Sequence, residues 1–162
     1  MTSFVYAFVA VLATGLVLAT ARADGAVPLD RTERAVVRHV NDARADHGLG
    51  PVRTSGALSR AARDHTRDML RNDFFGHTSS DGTPFDRRIR RYTDARMVGE
   101  NLAAIARRRG GAATIVRMWM QSPPHRAVLL TGELRRIGVG RRWGKLGSSQ
   151  QAVVTADFSS RR

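Results

Sequence analysis

The groups in this 162-residue chain that can trade protons, bind metals or attack substrates are few. There is no cysteine, which excludes disulfides, thiolate metal sites, a cysteine nucleophile and lipid attachment through a thiol. Five histidines stand at positions 39, 47, 65, 77 and 125, and the only glutamates are Glu33, Glu100 and Glu133. His77, Glu100 and His125 are 23 and 25 residues apart. That is far looser than two histidines on one helical turn, so spacing alone does not pair them. Thr78, Ser79, Ser80 and Ser122 place hydroxyls near two of these histidines. A serine hydrolase is nonetheless disfavoured, because there is no Gly-x-Ser-x-Gly elbow and no oxyanion hole can be named.

The charge is more conspicuous. Twenty-seven basic residues face 14 acidic ones for a net charge of +13, and Lys145 is the only lysine. Dense runs occur at Arg87-Arg88-Ile89-Arg90-Arg91, Arg107-Arg108-Arg109, Arg135-Arg136, Arg141-Arg142 and Arg161-Arg162. Such a field concentrates anionic partners. No recognisable nucleic-acid-binding motif accompanies it, so no specific nucleic acid is expected. Anionic phospholipid or cell-wall polymer suits an exported protein better. The competing reading is a codon bias toward Arg, Ala and Gly with no partner behind it.

Positioning these groups requires a folded domain, and 42% hydrophobic content is enough for a core. Phe4 to Leu18 is apolar and uncharged, and Ala21-Arg22-Ala23 follows as a small-x-small cleavage pattern. We read residues 1–23 as a signal peptide, 24–30 as a linker, 31–159 as one domain and 160–162 as a basic tail. The alternative for the first segment is a retained anchor. In both readings the domain is extracytoplasmic: secreted, periplasmic or envelope-associated.

Asp30 or Thr32 caps a predicted helix to about His47, with Val36, Val37, Val40 and Ala43 on its apolar face. An extended connection holding Pro51 follows. Ser55 caps a second helix to about Arg71, whose apolar stripe is Leu58, Ala61, Ala62, His65 and Met69. Its other face carries Arg60, Arg63, Asp64, Arg67 and Asp68. His65 reads as a satisfied core histidine, and His39 and His47 as exposed. Residues 72–99 read as loop-rich with a short helix near Phe85 to Arg91, and Phe74, Phe75 and Phe85 flank the His77 loop. Gly99-Glu100-Asn101 is expected to open another helix that Gly110-Gly111 ends. A further helix runs from Ala112 to Ser122, with Trp119 as a core anchor, and Pro123-Pro124 terminates it. Ile137-Gly138-Val139-Gly140 and the alternating Ala152 to Phe158 read as strands. Helices first and strands last indicate an α+β fold.

Six groups taken in order resemble one family. They are Asn41-x-x-Arg44-x-x-x-Gly48-Leu49-x-Pro51, Ala61-Ala62-x-x-His65-x-x-x-Met69, Phe75-x-His77-Thr78, Gly99-Glu100-Asn101, Trp119-x-x-Ser122-x-x-His125-Arg126 and Ile137-Gly138-Val139-Gly140. Together they resemble the CAP superfamily of SCP/PR-1-like domains, in its bacterial secreted branch, from about Arg31 to Phe158. The resemblance implies a three-layer α-β-α sandwich with a central antiparallel sheet. It also implies a cleft where two histidines and two acidic residues converge. His77 matches the first histidine, Glu100 the first acid and His125 the second histidine. Ser122 occupies the second acidic position. Pro124 and Val128 replace the usual Gly and Asn beside His125.

Carried over this way, His77, Glu100 and His125 make a three-ligand set for a divalent cation, Zn²⁺ first, with an open position for water. Such a water would support a metal-dependent hydrolase. The competing reading is a hydrogen-bonded polar cluster that holds loops around a cleft. The family is associated with lipid or sterol, cation and macromolecule binding, and has no one agreed activity. The reading adopted is therefore a non-catalytic binding module whose cleft, His77, Glu100, Ser122 and His125, takes a lipid or other small ligand, with a cation as an option. The alternatives are the hydrolase and a basic module for anionic envelope polymers.

Overall fold

The computed structural model describes residues 28–106 and 111–161. The expected signal peptide, most of the linker and the Arg107 to Arg109 run lie outside the described residues.

The chain folds as α1 (Arg31–Ala45), β1 (Arg53–Thr54), α2 (Gly56–Arg71), α3 (Phe85–Arg90), β2 (Val98–Ala106), α4 (Ala112–Gln121), α5 (Pro123–Leu130), β3 (Leu134–Leu146) and β4 (Ser149–Ser160). The strands form one sheet in the order β1-β3-β4-β2. Pairing is antiparallel, except that the short β1 runs parallel to Arg136 and Ile137 of β3.

Two layers of helix sandwich this sheet. Val36, Val37 and Val40 of α1 and Ile115, Val116 and Trp119 of α4 pack on one face, against Ala103, Ile105, Ile137, Val139, Val154 and Phe158. On the other face Met69 of α2 meets Leu102 and Val153. Both faces of β4 are therefore buried, and its alternation sorts residues between two cores rather than between core and water.

Helix starts follow from local chemistry. At α1, the Asp30 side chain accepts from Glu33 N at 2.7 Å while the Glu33 side chain accepts from Asp30 N at 2.8 Å, a reciprocal capping box. Ser55 caps α2. The Ile137-Gly-Val-Gly motif is a docking surface for α2. A Cβ on Gly138 would lie 2.1 Å from Leu58 C, and one on Gly140 would lie 2.4 Å from Arg63 N. Only glycine lets the helix backbone rest this close to the strand.

Asn41 and Arg44 act as backbone surrogates. The Asn41 amide exchanges two hydrogen bonds with Val52, at 2.9 and 3.2 Å. Arg44 is fully buried and donates to the carbonyls of Gly50, Leu129 and Thr131. These bonds tie the α1–β1 connection and the end of α5 to one point.

One sequence expectation is corrected and another is extended. Gly99-Glu100-Asn101 opens strand β2, not a helix. Pairing of Val98–Ala106 with Ser159–Gln151 of β4 overrides the helix-forming Leu102, Ala103 and Ala104. Pro123-Pro124 ends α4 but also begins α5, because proline suits the first turn, where the missing N–H has no intrahelical partner.

Candidate functional site

Strand β2 is one edge of the sheet. The α2–α3 connection reaches this edge from one helical layer, and α5 reaches it from the other. Glu100, near the start of β2, is 4% exposed and its side chain is wholly enclosed. Its Oε1 lies 2.8 Å from His77 Nδ1, and Arg88 of α3 donates to its Oε2. A carboxylate oxygen accepts, so His77 Nδ1 is the donor in this bond. The His77 side chain is 49% exposed, so a fully enclosed acid holds a ring that solvent can reach.

The loop bearing His77 is pinned at both ends. His65 Nε2 donates to the Gly76 carbonyl at 2.9 Å, and Arg88 donates to the His77 carbonyl at 3.1 Å. Asp68 of α2 accepts from Ser80 N at 2.9 Å, from Ser80 Oγ at 2.6 Å and from Asn72. Burial pushes the Asp68 carboxyl up, but the bonds from Ser80 and Asn72 outweigh it and hold the pKa below the usual value. Burial pulls the His65 pKa down despite Glu100 at 3.9 Å, which keeps the ring neutral. His65 is thus a core histidine, as its place on the α2 stripe implies, but it is satisfied at one nitrogen only: Nε2 orders the loop, while the buried Nδ1 has no hydrogen-bond partner among the described residues.

From the other layer, His125 is the third residue of α5. Ser122, between α4 and α5, makes no side-chain hydrogen bond to the backbone of α5. Its Oγ sits 2.8 Å from His125 Nδ1 instead. Asn101 of β2 donates to the His125 carbonyl at 3.0 Å. Trp119 Nε1 donates to the Leu102 carbonyl at 2.8 Å, which fastens α4 to the edge strand. Gly99 leaves space for Val128, since a Cβ there would meet Val128 Cγ1 at 3.0 Å. Burial, and then the charge of His77, lowers the His125 pKa, so the two imidazoles feel each other across the strand edge. The structure therefore gathers His77 with Glu100, His125 with Ser122, and the two pairs around one edge. His47 is exposed, and His39 is half-exposed beside Asp42 at 3.4 Å.

Behind Glu100 lies a residue that sequence reasoning missed. Asp157 of β4 stands opposite Glu100 in the strand register and is fully buried, with the Glu100 carboxyl as its side-chain neighbour. Burial first, and Glu100 second, push its pKa well above the usual carboxylate value. Arg88 was also missed, because it lies within an arginine run that gives no local sign of burial.

A three-ligand zinc site does not fit this arrangement. Both oxygens of Glu100 are engaged, by His77 and by Arg88. Among the described residues no group of three or more His, Asp or Glu side chains is arranged to hold a metal ion. Glu100 has the geometry of a carboxylate that orients a histidine, not of a ligand.

Fold and edge site together define a class of protein. Residues 37–158 match the family model described as the cysteine-rich secretory protein family, CAP, and the chain belongs to that family. It is a member without cysteine. It is 34% identical over 109 residues to the uncharacterized protein YkwD of Bacillus subtilis, covering 67% of this chain and 41% of that one. It is 30% identical over 110 residues to the uncharacterized membrane protein YlbC of the same organism, covering 67% and 31%. The chain thus spans less than half the length of these relatives. Among solved structures, an extracellular SCP-domain protein of Bacillus anthracis superposes with a TM-score of 0.67 at 22% identity, over 83% of this chain and 45% of that one. An outer surface protein of Borrelia burgdorferi superposes with a TM-score of 0.66 at 21% identity, over 83% and 97%. Both likenesses bear on the fold alone. No helix among the described residues is long and apolar enough to cross a membrane.

Proposed function

We propose that this chain is an extracytoplasmic, non-catalytic binding domain whose ligand docks at the β2 edge between His77 and His125. The observation that supports it is His77, half-exposed on a fully enclosed Glu100 at 2.8 Å. Burying that acid with Arg88 only to aim one imidazole outward is costly unless the ring has something to meet. Among the described residues neither His77 Nε2 nor His125 Nε2 has a hydrogen-bond partner. The Phe85 ring stands 6.0 Å from the His77 ring, and Phe75 is 48% exposed. Imidazoles beside aromatic surface suit an amphipathic small ligand such as a lipid, with the polar head at the histidines.

A divalent cation such as Zn²⁺ would meet two imidazoles and no open carboxylate. The binding role does not depend on a metal. Titration with a fluorescent fatty acid tests the reading. Wild type should bind, and the His77→Ala/His125→Ala double variant should bind at least about tenfold less tightly, for a loss of two hydrogen bonds. Equal binding by both proteins would overturn it. Calorimetric titration with Zn²⁺ on the same pair decides the cation. Turnover of any ester or peptide that Glu100→Gln abolishes would replace the non-catalytic reading with a hydrolase.

A further inference from the structure

The opposite edge of the sheet carries a second feature. β1 pairs only with Arg136 and Ile137, so past that point the outer edge of β3 is open. The backbone N–H of Arg141 on this edge donates to Glu33 Oε1 at 3.2 Å. A cleft of about 310 Å³ lies here, walled by Arg63 and Arg67 of α2 and by Arg141 and Arg142 of β3, with Asp30 and Glu33 at the start of α1. Four guanidiniums thus face two carboxylates.

The carboxylates are already engaged. Glu33 accepts from Arg63 through both oxygens, at 3.2 and 2.5 Å, and from two backbone N–H groups. Asp30 caps α1 through Oδ1 and lies 4.0 Å from Arg141 through Oδ2, beyond hydrogen-bond range. The Glu33–Arg63 pair makes a neutral floor. The walls remain cationic. Arg142 has no acidic partner among the described residues, Arg141 rests over the Trp143 ring at 5.3 Å, and Arg67 holds only an exposed pair with Asp64. Successive strand residues reach the same cleft from both faces of β3 because no neighbouring strand stands between them. Three guanidiniums arriving from different directions present more donors than the two oxygens of a monocarboxylate can use, and they match a tetrahedral, multiply charged group.

We propose that this cleft binds a phosphate group, on a lipid headgroup or on a free phosphorylated molecule, through Arg67, Arg141 and Arg142. The site is independent of the His77–His125 edge and stands whether or not that edge binds anything.

The test is titration of the purified protein with inorganic phosphate against chloride at constant ionic strength, followed by backbone amide NMR shifts. Saturable shifts should centre on Arg67 and residues 141–142. Arg141→Ala/Arg142→Ala should weaken phosphate by about tenfold or more, two charge-assisted contacts being lost. Arg38→Ala/Arg136→Ala removes the same net charge from other exposed positions and should change the affinity by less than about twofold. Arg142→Gln, exposed and unpaired, gives the same reading should the double variant unfold. Phosphate behaving as chloride, or both double variants weakening equally, would overturn the site and leave only a diffuse field. The same proteins are then sedimented with phosphatidylglycerol or phosphatidylcholine vesicles. Phosphatidylglycerol binding lost only in Arg141→Ala/Arg142→Ala assigns the phosphate to a lipid, whereas phosphate binding without vesicle binding assigns it to a free molecule.

Discussion

Replacing Gly138 by alanine tests the physical basis of the whole arrangement. The added methyl would stand 2.1 Å from Leu58 C, 2.2 Å from Ser59 N and 2.5 Å from Leu58 Cβ. Carbon atoms are comfortable near 3.5 Å, so α2 must recede from β3 by roughly 1.4 Å. Two of the three neighbours are helix backbone, and no side-chain rotation relieves them. Overpacking a rigid core costs about 1–3 kcal/mol and sometimes more, and this site belongs at the upper end. A loss of about 3 kcal/mol corresponds to roughly 10 °C in Tm for a domain of this size. The effect reaches the candidate site, because α2 carries the His65 and Asp68 that hold the His77 loop. Thermal unfolding by circular dichroism measures the first effect, and the amide shifts of Gly76 to Ser80 report the second. Gly132→Ala is the control, since its nearest neighbour would be Leu49 Cδ2 at 3.8 Å, and it should stay within about 1 kcal/mol of wild type. A Gly138→Ala protein as stable as that control would refute the close docking of α2 on the sheet.

Two further outcomes concern the charges around Glu100. Asp157 has its folded-state pKa raised from 3.8, so the unfolded chain releases its proton first and stability falls as pH climbs from there through the folded value. Asp157→Asn should remove that decline and raise the urea midpoint at pH 7; parallel pH profiles for the two proteins would contradict a raised Asp157 pKa. His65 and His125 act in the opposite sense. Their folded pKa values lie below 6.5, so stability is lost on acidification below that point. In an NMR titration, His77→Ala should move the His125 pKa upward while leaving it below 6.5, because the larger cause, burial, persists. An unchanged value would mean that the two rings do not sense each other.

Much of the fold was legible because its signals are local. The Asp30 and Ser55 caps, the apolar stripes of α1 and α2, Trp119 as an anchor and the alternation in β4 each depend on residues within a few positions of one another. β2 was not legible. Leu102, Ala103 and Ile105 are buried across both faces of the strand, which blurs alternation, and its strand state depends on pairing with a segment some fifty residues later. The second role of Pro123-Pro124 was hidden similarly, since a proline pair stops one helix and starts the next with the same geometry. Within the candidate site, family resemblance picked out His77, Glu100, Ser122 and His125. The clamp around them was not legible: Arg88 looks like any other arginine in its run, and Asp157 looks like the polar step of a strand.

Residue types and short spacings alone determined that this chain has no thiol chemistry, carries a large positive charge, and builds capped amphipathic helices before β-prone segments. Tertiary structure decided which charges are engaged: Glu100 is taken by His77 and Arg88, Glu33 by Arg63, and Arg142 by no acid among the described residues. Partnering of that kind depends on through-space distances between elements far apart in the chain. Burial then sets its energetic weight, and neither quantity is written in local sequence.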